Sequence, residues 1–328
     1  MAELQRSAFT AAVQKDMYAY SIEKYDSLPI YFDKIFVTEN STGAYENETK
    51  AIGMGKLTEK KESEPIIFSN PMEGYTIYGK NRTFQDGIEF SMETVKDTSP
   101  DKIANIVNDF AATYTETYVQ TKEQFYAGVF NYGAFTAGHD VFNASITGVT
   151  PSGVPTLLLY DGKCLFTPTG AKRPLYPGGT AGYYNAIASA SLTKSALITA
   201  YNLMAVTNAV DSRGDKIVNM PDTILIPPAL HFTVKDLLEN EWESGQANLN
   251  MNVVKGLVTP IEWPYLTSAT AWFLGRKQRG LIAQERMPLT FEFWEDPVTK
   301  GYKASVVARW GLRVNDWRYW VSNNASTS

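Results

Sequence analysis

One apolar stripe constrains this chain more than any other feature. Ile103, Ile106, Val107, Phe110, Tyr114, Tyr118 and Phe125 recur at three- and four-residue steps, which places them on one face of an α-helix. Ser99 is a good N-cap and Pro100 suits the first helical position. The predicted helix runs from about Pro100 to about Gly128 and is roughly 40 Å long at 1.5 Å per residue. A helix well above the usual length of about three turns is a packing element and demands a body built along it.

The other elements are shorter. Residues 1–37 read as an extended or partly helical arm carrying Phe9, Tyr18, Tyr20, Tyr25, Tyr31, Phe32 and Phe36. An arm this aromatic needs a surface, its own or a neighbour's. Residues 40–97 read as a long two-stranded excursion with a charged centre (Lys56, Glu59, Lys60, Lys61, Glu62, Glu64). Strand-like runs occur at Pro65–Phe68, Tyr75–Tyr78 and Gly87–Met92. After the helix come a strand-like Thr156–Tyr160 and the turn Asp161-Gly162-Lys163. A helix is predicted over Leu192–Val210 and a strand over Thr223–Ile226, then the break Pro227-Pro228 and a helix over Ala229–Asn240. Glu241–Asn252 is polar and loop-like, and Val253–Thr259 reads as a strand. The tail offers strands at Leu289–Trp294, Lys303–Trp310 and Trp317–Val321.

Chemistry is sparse. The two histidines, His139 and His231, are far apart, and Cys164 is the single cysteine. Hence no intrachain disulfide can form, and no zinc-ligand spacing appears. Gly53-Met54-Gly55-Lys56-Leu57 echoes a phosphate loop, but it lacks the upstream glycine and the hydroxyl residue that magnesium needs. His231 and Cys164 read as structural groups. No catalytic, cofactor or metal residue is assigned. A net charge of −5 argues against a protein whose main task is gripping nucleic acid. No apolar stretch has the length of a membrane span, and Met1 to Tyr20 lack a signal peptide's uninterrupted apolar run. The length fits one large domain or two moderate ones.

The order of parts is arm, hairpin, long helix, glycine-rich loops, helix, strand, Pro-Pro, helix, polar loop, strand and β-rich tail. It resembles the Hong Kong 97-type capsid fold of tailed bacteriophages. Several stretches are similar to the Mu-like major head subunit branch: Met72-Glu73-Gly74-Tyr75 with Thr83-Phe84-Gln85-Asp86-Gly87, Asp161-Gly162-Lys163-Cys164-Leu165-Phe166, Ser191-Leu192-Thr193, Thr223 to Leu230, and Asn315-Asp316-Trp317-Arg318. One departure is that Thr167-Pro168-Thr169-Gly170 follows Phe166 where relatives often carry a histidine.

The resemblance implies an α+β fold. Its parts are an N-terminal arm (1–40), an E-loop hairpin region (41–97), a P-domain with the spine helix (98–180), an A-domain (181–276) and P-domain C-terminal strands (277–328). The function it implies is mechanical: a major capsid protein whose pentamers and hexamers close an icosahedral shell around double-stranded DNA. The E-loop residues Ile66, Phe68, Met72, Tyr75, Tyr78 and Phe84 are then expected at a subunit interface, and the arm is expected to reach across subunits. The loop residues Glu241, Trp242, Glu243, Ser244 and Gly245 are expected near the capsomer axis. Expected partners are further copies of the chain, a separate scaffolding protein, a portal protein and, optionally, a decoration protein. DNA is enclosed without sequence-specific binding, no membrane is involved, and assembly takes place in the host bacterial cytoplasm. Some relatives join a hairpin lysine to a distant asparagine. Lys56, Lys60 and Asn323 are read here as non-reactive solvated side chains. Two alternatives stay open: an encapsulin-type compartment that encloses cargo enzymes, and a hydrolase using an unrecognised carboxylate pair.

Overall fold

A computed structural model describes residues 6–53, 57, 59–66, 68, 70–91, 100–142, 157–242, 250–299 and 301–326. The long helix is present as α2, with α1 at Arg6–Ser27 and α2 at Pro100–Asn131. Its 32 residues span about 48 Å. It outruns the expected stop at Gly128, because that glycine packs helically against Val141. The true break is Gly133, where any Cβ would strike the Val129 carbonyl and the Phe166 ring.

Two five-stranded sheets flank this helix. The first has the order β1-β8-β9-β3-β2, with β1 at Val37–Asn40, β2 at Tyr45–Ile52, β3 at Met72–Phe90, β8 at Leu281–Glu295 and β9 at Tyr302–Val314. Along β9, Ala304, Val306, Ala308, Trp310, Leu312 and Val314 are all buried, the two-residue period of a strand with one covered face. That face meets α2: Trp310 lies edge-on to Tyr118 (centroids 5.5 Å) and to Phe125 (6.4 Å).

The second sheet has the order β4-β10-β7-β5-β6, with β4 at Ala186–Ile187, β5 at Thr223–Ile226, β6 at Thr259–Glu262, β7 at Trp272–Gly275 and β10 at Trp320–Asn323. Both faces of its centre are covered. Leu225 and Phe273 enter the core shared with Phe130 of α2, whereas Ile224, Ile226, Trp272 and Leu274 enter a second core. The second core is closed by α3 (Lys194–Asn202) and α4 (His231–Glu239). Burial on both faces explains why β5 reads as an unbroken apolar run. The last strand, β10, leaves the first sheet's neighbourhood and pairs with β7 and β4 of the second.

The arm lies on its own subunit. Tyr18 packs edge-on to Phe291, Tyr25 beside Tyr118, and Phe32 stacks on Tyr126 at 4.7 Å. Its anchor is the buried Glu123, whose carboxylate accepts the Tyr31 amide (2.6 Å), the Phe32 amide (3.2 Å) and the Trp263 indole N–H (2.6 Å). Burial pushes this carboxyl above its ordinary range, and the three donors oppose that rise.

Several predicted strands are not strands. Thr156 lies outside the described residues, and 157–160 are not extended but lead into a turn over 159–162 closed by Gly162 N–H to the Leu159 carbonyl (2.9 Å). Val253 to Val258 also turn: the Asn252 amide group donates to the Leu237 and Asn240 carbonyls, and Gly256 sits at φ +64°. The buried Val254 and Val258 are four residues apart because the chain curls there. Pro65 and Ile66 are irregular, as is Phe68, while Ile67 is outside the described residues. Trp317–Tyr319 is a 3-10 turn capped by Asp316, so the final strand begins only at Trp320. The helix expected over Leu192–Val210 is capped by Thr193 and relaxes into a π-turn at Leu203–Thr207.

The helical stripe carries a direct prediction. Tyr114→Pro removes a backbone donor in the middle of α2 and clashes with the preceding turn, costing about 3 kcal/mol or more. Urea unfolding of the unassembled subunit is expected to register that loss, and wild-type stability would contradict the continuous helix.

Candidate assembly surfaces

The hairpin is built from β2 and the first half of β3, in the register Tyr45↔Lys80 to Ile52↔Met72. Its first strand escaped sequence reading because Tyr-Glu-Asn-Glu-Thr-Lys has no apolar alternation and is largely solvated on both faces. The second half of β3 runs into the body, where Asn81–Phe90 pairs with β9. A bulge interrupts the pairing between Thr49 and Ala51. Gly74 lies opposite, where a Cβ would sit 2.6 Å from the Lys50 carbonyl oxygen.

The hairpin root is fixed to its own subunit. Lys50 Nζ donates to the Asn315 carbonyl (2.5 Å), Arg213 Nε donates to the Gly53 carbonyl, and Tyr75 packs on Tyr160 at 5.4 Å. Burial pushes the Lys50 ammonium below the usual lysine range. Ile52 and Ile77 are buried. Thus the root of the hairpin packs on its own subunit.

The tip differs. Leu57 is fully exposed, Phe68 is 87% exposed, Ile66 66% and Met72 52%. Of the six predicted interface residues, Ile66, Phe68 and Met72 therefore present free apolar surface. Tyr75 and Tyr78 are half-buried. Phe84 is in the body, stacked flat on Trp310 at 3.8 Å with an interplanar angle of 5°. Leu57 was missed, since a lone leucine in a charged run gives no periodic signal.

On the second sheet's side, Glu241 is exposed beside Lys255, and Trp242 bridges to Met251, with Trp242, Met251 and Val253 all exposed. Glu243, Ser244 and Gly245 lie outside the described residues. His231 Nδ1 meets Glu262 Oε2 at 2.8 Å, and His139 stacks on Tyr132. Asn323 is fully buried in β10, contrary to its reading as a solvated side chain. Among the described residues no group of three or more His, Cys, Asp or Glu is placed to hold a metal, and no helix is long and apolar enough to cross a membrane.

The profile of the family described as "Phage capsid protein" matches residues 75–323. This chain belongs to the phage capsid protein family. The capsid protein is a structural shell subunit and not an enzyme, which removes the hydrolase alternative. Its fold is that of tailed-phage capsid subunits. It is similar to the structure of Mycobacterium phage Patience (10% identity, 99% of this chain and 89% of that chain covered, TM-score 0.53). It is also similar to the capsid of Ralstonia phage GP4 (10%, 91% and 91%, TM-score 0.52) and to that of the Myoviridae phage XM1 (11%, 90% and 91%, TM-score 0.51). No curated protein matches the sequence.

The short stretches that carried the resemblance do structural work in this capsid protein. Asp161 pairs with the buried Arg173, and Asp316 holds Arg318 through both carboxylate oxygens while Arg318 reaches the Val210 carbonyl. Asn185, which no sequence pattern marked, donates to the Leu165, Trp317 and Trp320 carbonyls and accepts the Thr167 amide. It joins the loop after α2 to the start of β10.

Proposed function

We propose that this capsid protein is the major head subunit of a tailed phage, on the Mu-like branch, closing as pentamers and hexamers into an icosahedral shell around double-stranded DNA. In this reading residues 1–40 are the N-terminal arm and 41–97 the E-loop region. Residues 98–180 with 277–328 form the P-domain, and 181–276 form the A-domain, whose loop from Glu241 approaches the capsomer axis. A separate scaffolding protein, a portal and an optional decoration protein complete the assembly, which takes place in the host bacterial cytoplasm.

The observation that carries the reading is the hairpin tip. Leu57, Ile66, Phe68 and Met72 stand in solvent at the end of a root that is itself well anchored. An anchored root with an uncovered apolar tip suits an interface made on assembly. Replacing residues 57–70 by a short Asn-Gly turn tests it. The shortened subunit is expected to keep its circular dichroism spectrum and lose closed particles in sedimentation. Normal particles from the shortened chain would refute the inter-subunit role of the tip.

A further inference from the structure

The turn between β7 and β8 reads Arg276-Lys277-Gln278-Arg279. No other four-residue stretch of the chain holds three cations, and no Asp or Glu occurs between Glu262 and Glu285. In a chain of net charge −5 this is a local reversal of sign. Lys277 and Arg279 are exposed, and Arg276 is half-buried. Several other cations meet carboxylates, as Lys24 meets Glu116, Arg82 Asp140 and Lys303 Asp296. Among the described residues no carboxylate forms an ion pair with Arg276, Lys277 or Arg279.

The turn is held from behind. The Gln278 amide donates to the Ile35 carbonyl of the arm (2.7 Å), and the Gln278 side chain donates to the Asp33 carbonyl (3.4 Å). The Arg276 amide donates to the Tyr319 carbonyl (3.0 Å), and the Lys277 amide to Asp222 Oδ1 (3.0 Å). Gln278 stands at φ +51° and Gly280 at φ +78°, left-handed positions that reverse the chain. The three cationic side chains take no part in these bonds. Lys34, also exposed, adjoins the Ile35 contact. With Asp33 and Asp222 beside the turn, four cations outnumber two carboxylates.

We propose that this turn is a phosphate-contact site for the double-stranded DNA inside the shell. The proposal rests on the shell reading above and adds the point at which each subunit touches the contents. A guanidinium binds phosphate oxygens through two parallel N–H donors, and an exposed lysine adds a point charge. Each phosphate neutralised releases condensed counterions, so binding of this kind ignores sequence and depends steeply on salt. The competing partner is an acidic segment of a second copy. Duplex DNA fits better, because one charge per about 1.7 Å of axis offers a phosphate in any register. Surface carboxylates of the chain, among them Glu39, Glu48, Glu116 and Glu241, already meet cations of their own subunit. One weak contact per copy, repeated over a shell, holds by number rather than by strength.

Anisotropy of fluorescein-labelled duplexes of two unrelated sequences, titrated with the full-length unassembled subunit over a range of salt, tests this. Both duplexes are expected to bind alike, and log K to fall against log salt with a slope of about −2 to −3, two to three phosphates at about 0.9 each. Arg276→Gln with Lys277→Gln and Arg279→Gln is expected to weaken binding at least about tenfold and to remove most of that slope, with an unchanged circular dichroism spectrum. If the triple variant misfolds, Arg279→Gln alone gives the same reading through a slope shallower by about 1. The control for net charge changes three exposed lysines elsewhere, Lys15, Lys172 and Lys235, together to Gln; it is expected to stay within about twofold of wild type, since distant charges are screened. A wild-type subunit that binds neither duplex, a triple variant that binds like wild type, or a control that loses as much would each overturn the site. A folded triple variant that no longer closes into particles without DNA would overturn it too, because the turn then meets a second copy. In DNA-filled particles, brief formaldehyde treatment and peptide mapping are expected to find Lys277 joined to nucleotide. Other lysines joined and Lys277 free would place the turn away from the packaged duplex and leave the shell reading intact. Wild-type chains that form no particles would refute that reading instead, whatever the duplex titration shows.

Discussion

Replacing Arg173 by alanine is expected to destabilise the subunit by about 3–5 kcal/mol at neutral pH, because it leaves a buried carboxylate without its cation. Arg173 and Asp161 are both shut off from solvent, with Nε 3.2 Å from Oδ2. The guanidinium also donates to the Cys164 carbonyl and lies over the Trp317 ring at 4.8 Å. Burial already pushes the Asp161 carboxyl above its usual range, and Arg173 is the main force opposing that rise.

Removing the cation raises the folded-state pKa further above the unfolded value. A group shifted in that direction supports the fold fully below its unfolded pKa and loses that support as pH climbs through the folded value. The penalty of Arg173→Ala is therefore expected to be small near pH 4 and to grow toward pH 7. Urea unfolding of the unassembled subunit at several pH values reads this directly. Removing both charges, as Asp161→Ala with Arg173→Met, is expected to recover most of the loss, since an apolar pair of similar bulk replaces a buried ion pair at little cost. A pH-independent penalty, or a double variant no better than the single one, would show that the pair is not the source of the effect.

The same pair shows where sequence reading stops. Asp161-Gly162-Lys163 announces a turn, and the turn is there with Gly162 at φ +70°. Nothing at Arg173 announces that its side chain will be buried against that turn. The long helix was legible because its stripe repeats over many residues, and β5 because both its faces are apolar. The run Val253–Thr259 misled because valines four apart fit a strand's composition, while the deciding group, the Asn252 side chain reaching back to Leu237 and Asn240, is a long-range choice. At the hairpin the tip residues Ile66, Phe68 and Met72 were legible as apolar groups stranded among charges. Their separation from Phe84, which shares the strand but not the surface, depended on where β3 passes from pairing with β2 to pairing with β9.

At that passage a single truncation is expected to act strongly on the first sheet. Trp310 is 1% exposed and pairs across the sheet with Arg82 of β3. It stacks flat on Phe84 and meets Tyr118 and Phe125 edge-on, so one indole joins β9, β3 and α2. Trp310→Ala is expected to cost about 3–5 kcal/mol, the transfer loss plus the cavity left behind. Among the described residues the indole N–H has no hydrogen-bond partner, so the loss is expected from packing. Trp310→Phe, which keeps an aromatic face for Phe84, is expected to lose clearly less. Val298→Ala, at an exposed turn between β8 and β9, should stay within about 0.5 kcal/mol. The new hole adjoins an open groove lined by Phe84, Tyr118, Leu289 and Trp310, which gives added indole a route in. A ligand that binds only the folded state raises its apparent stability, so indole is expected to raise the melting temperature of Trp310→Ala and leave the wild type unchanged. A Trp310→Ala subunit as stable as the wild type would mean that α2 is held to the sheet by other contacts, and that the Phe84–Trp310 stack is incidental to the fold.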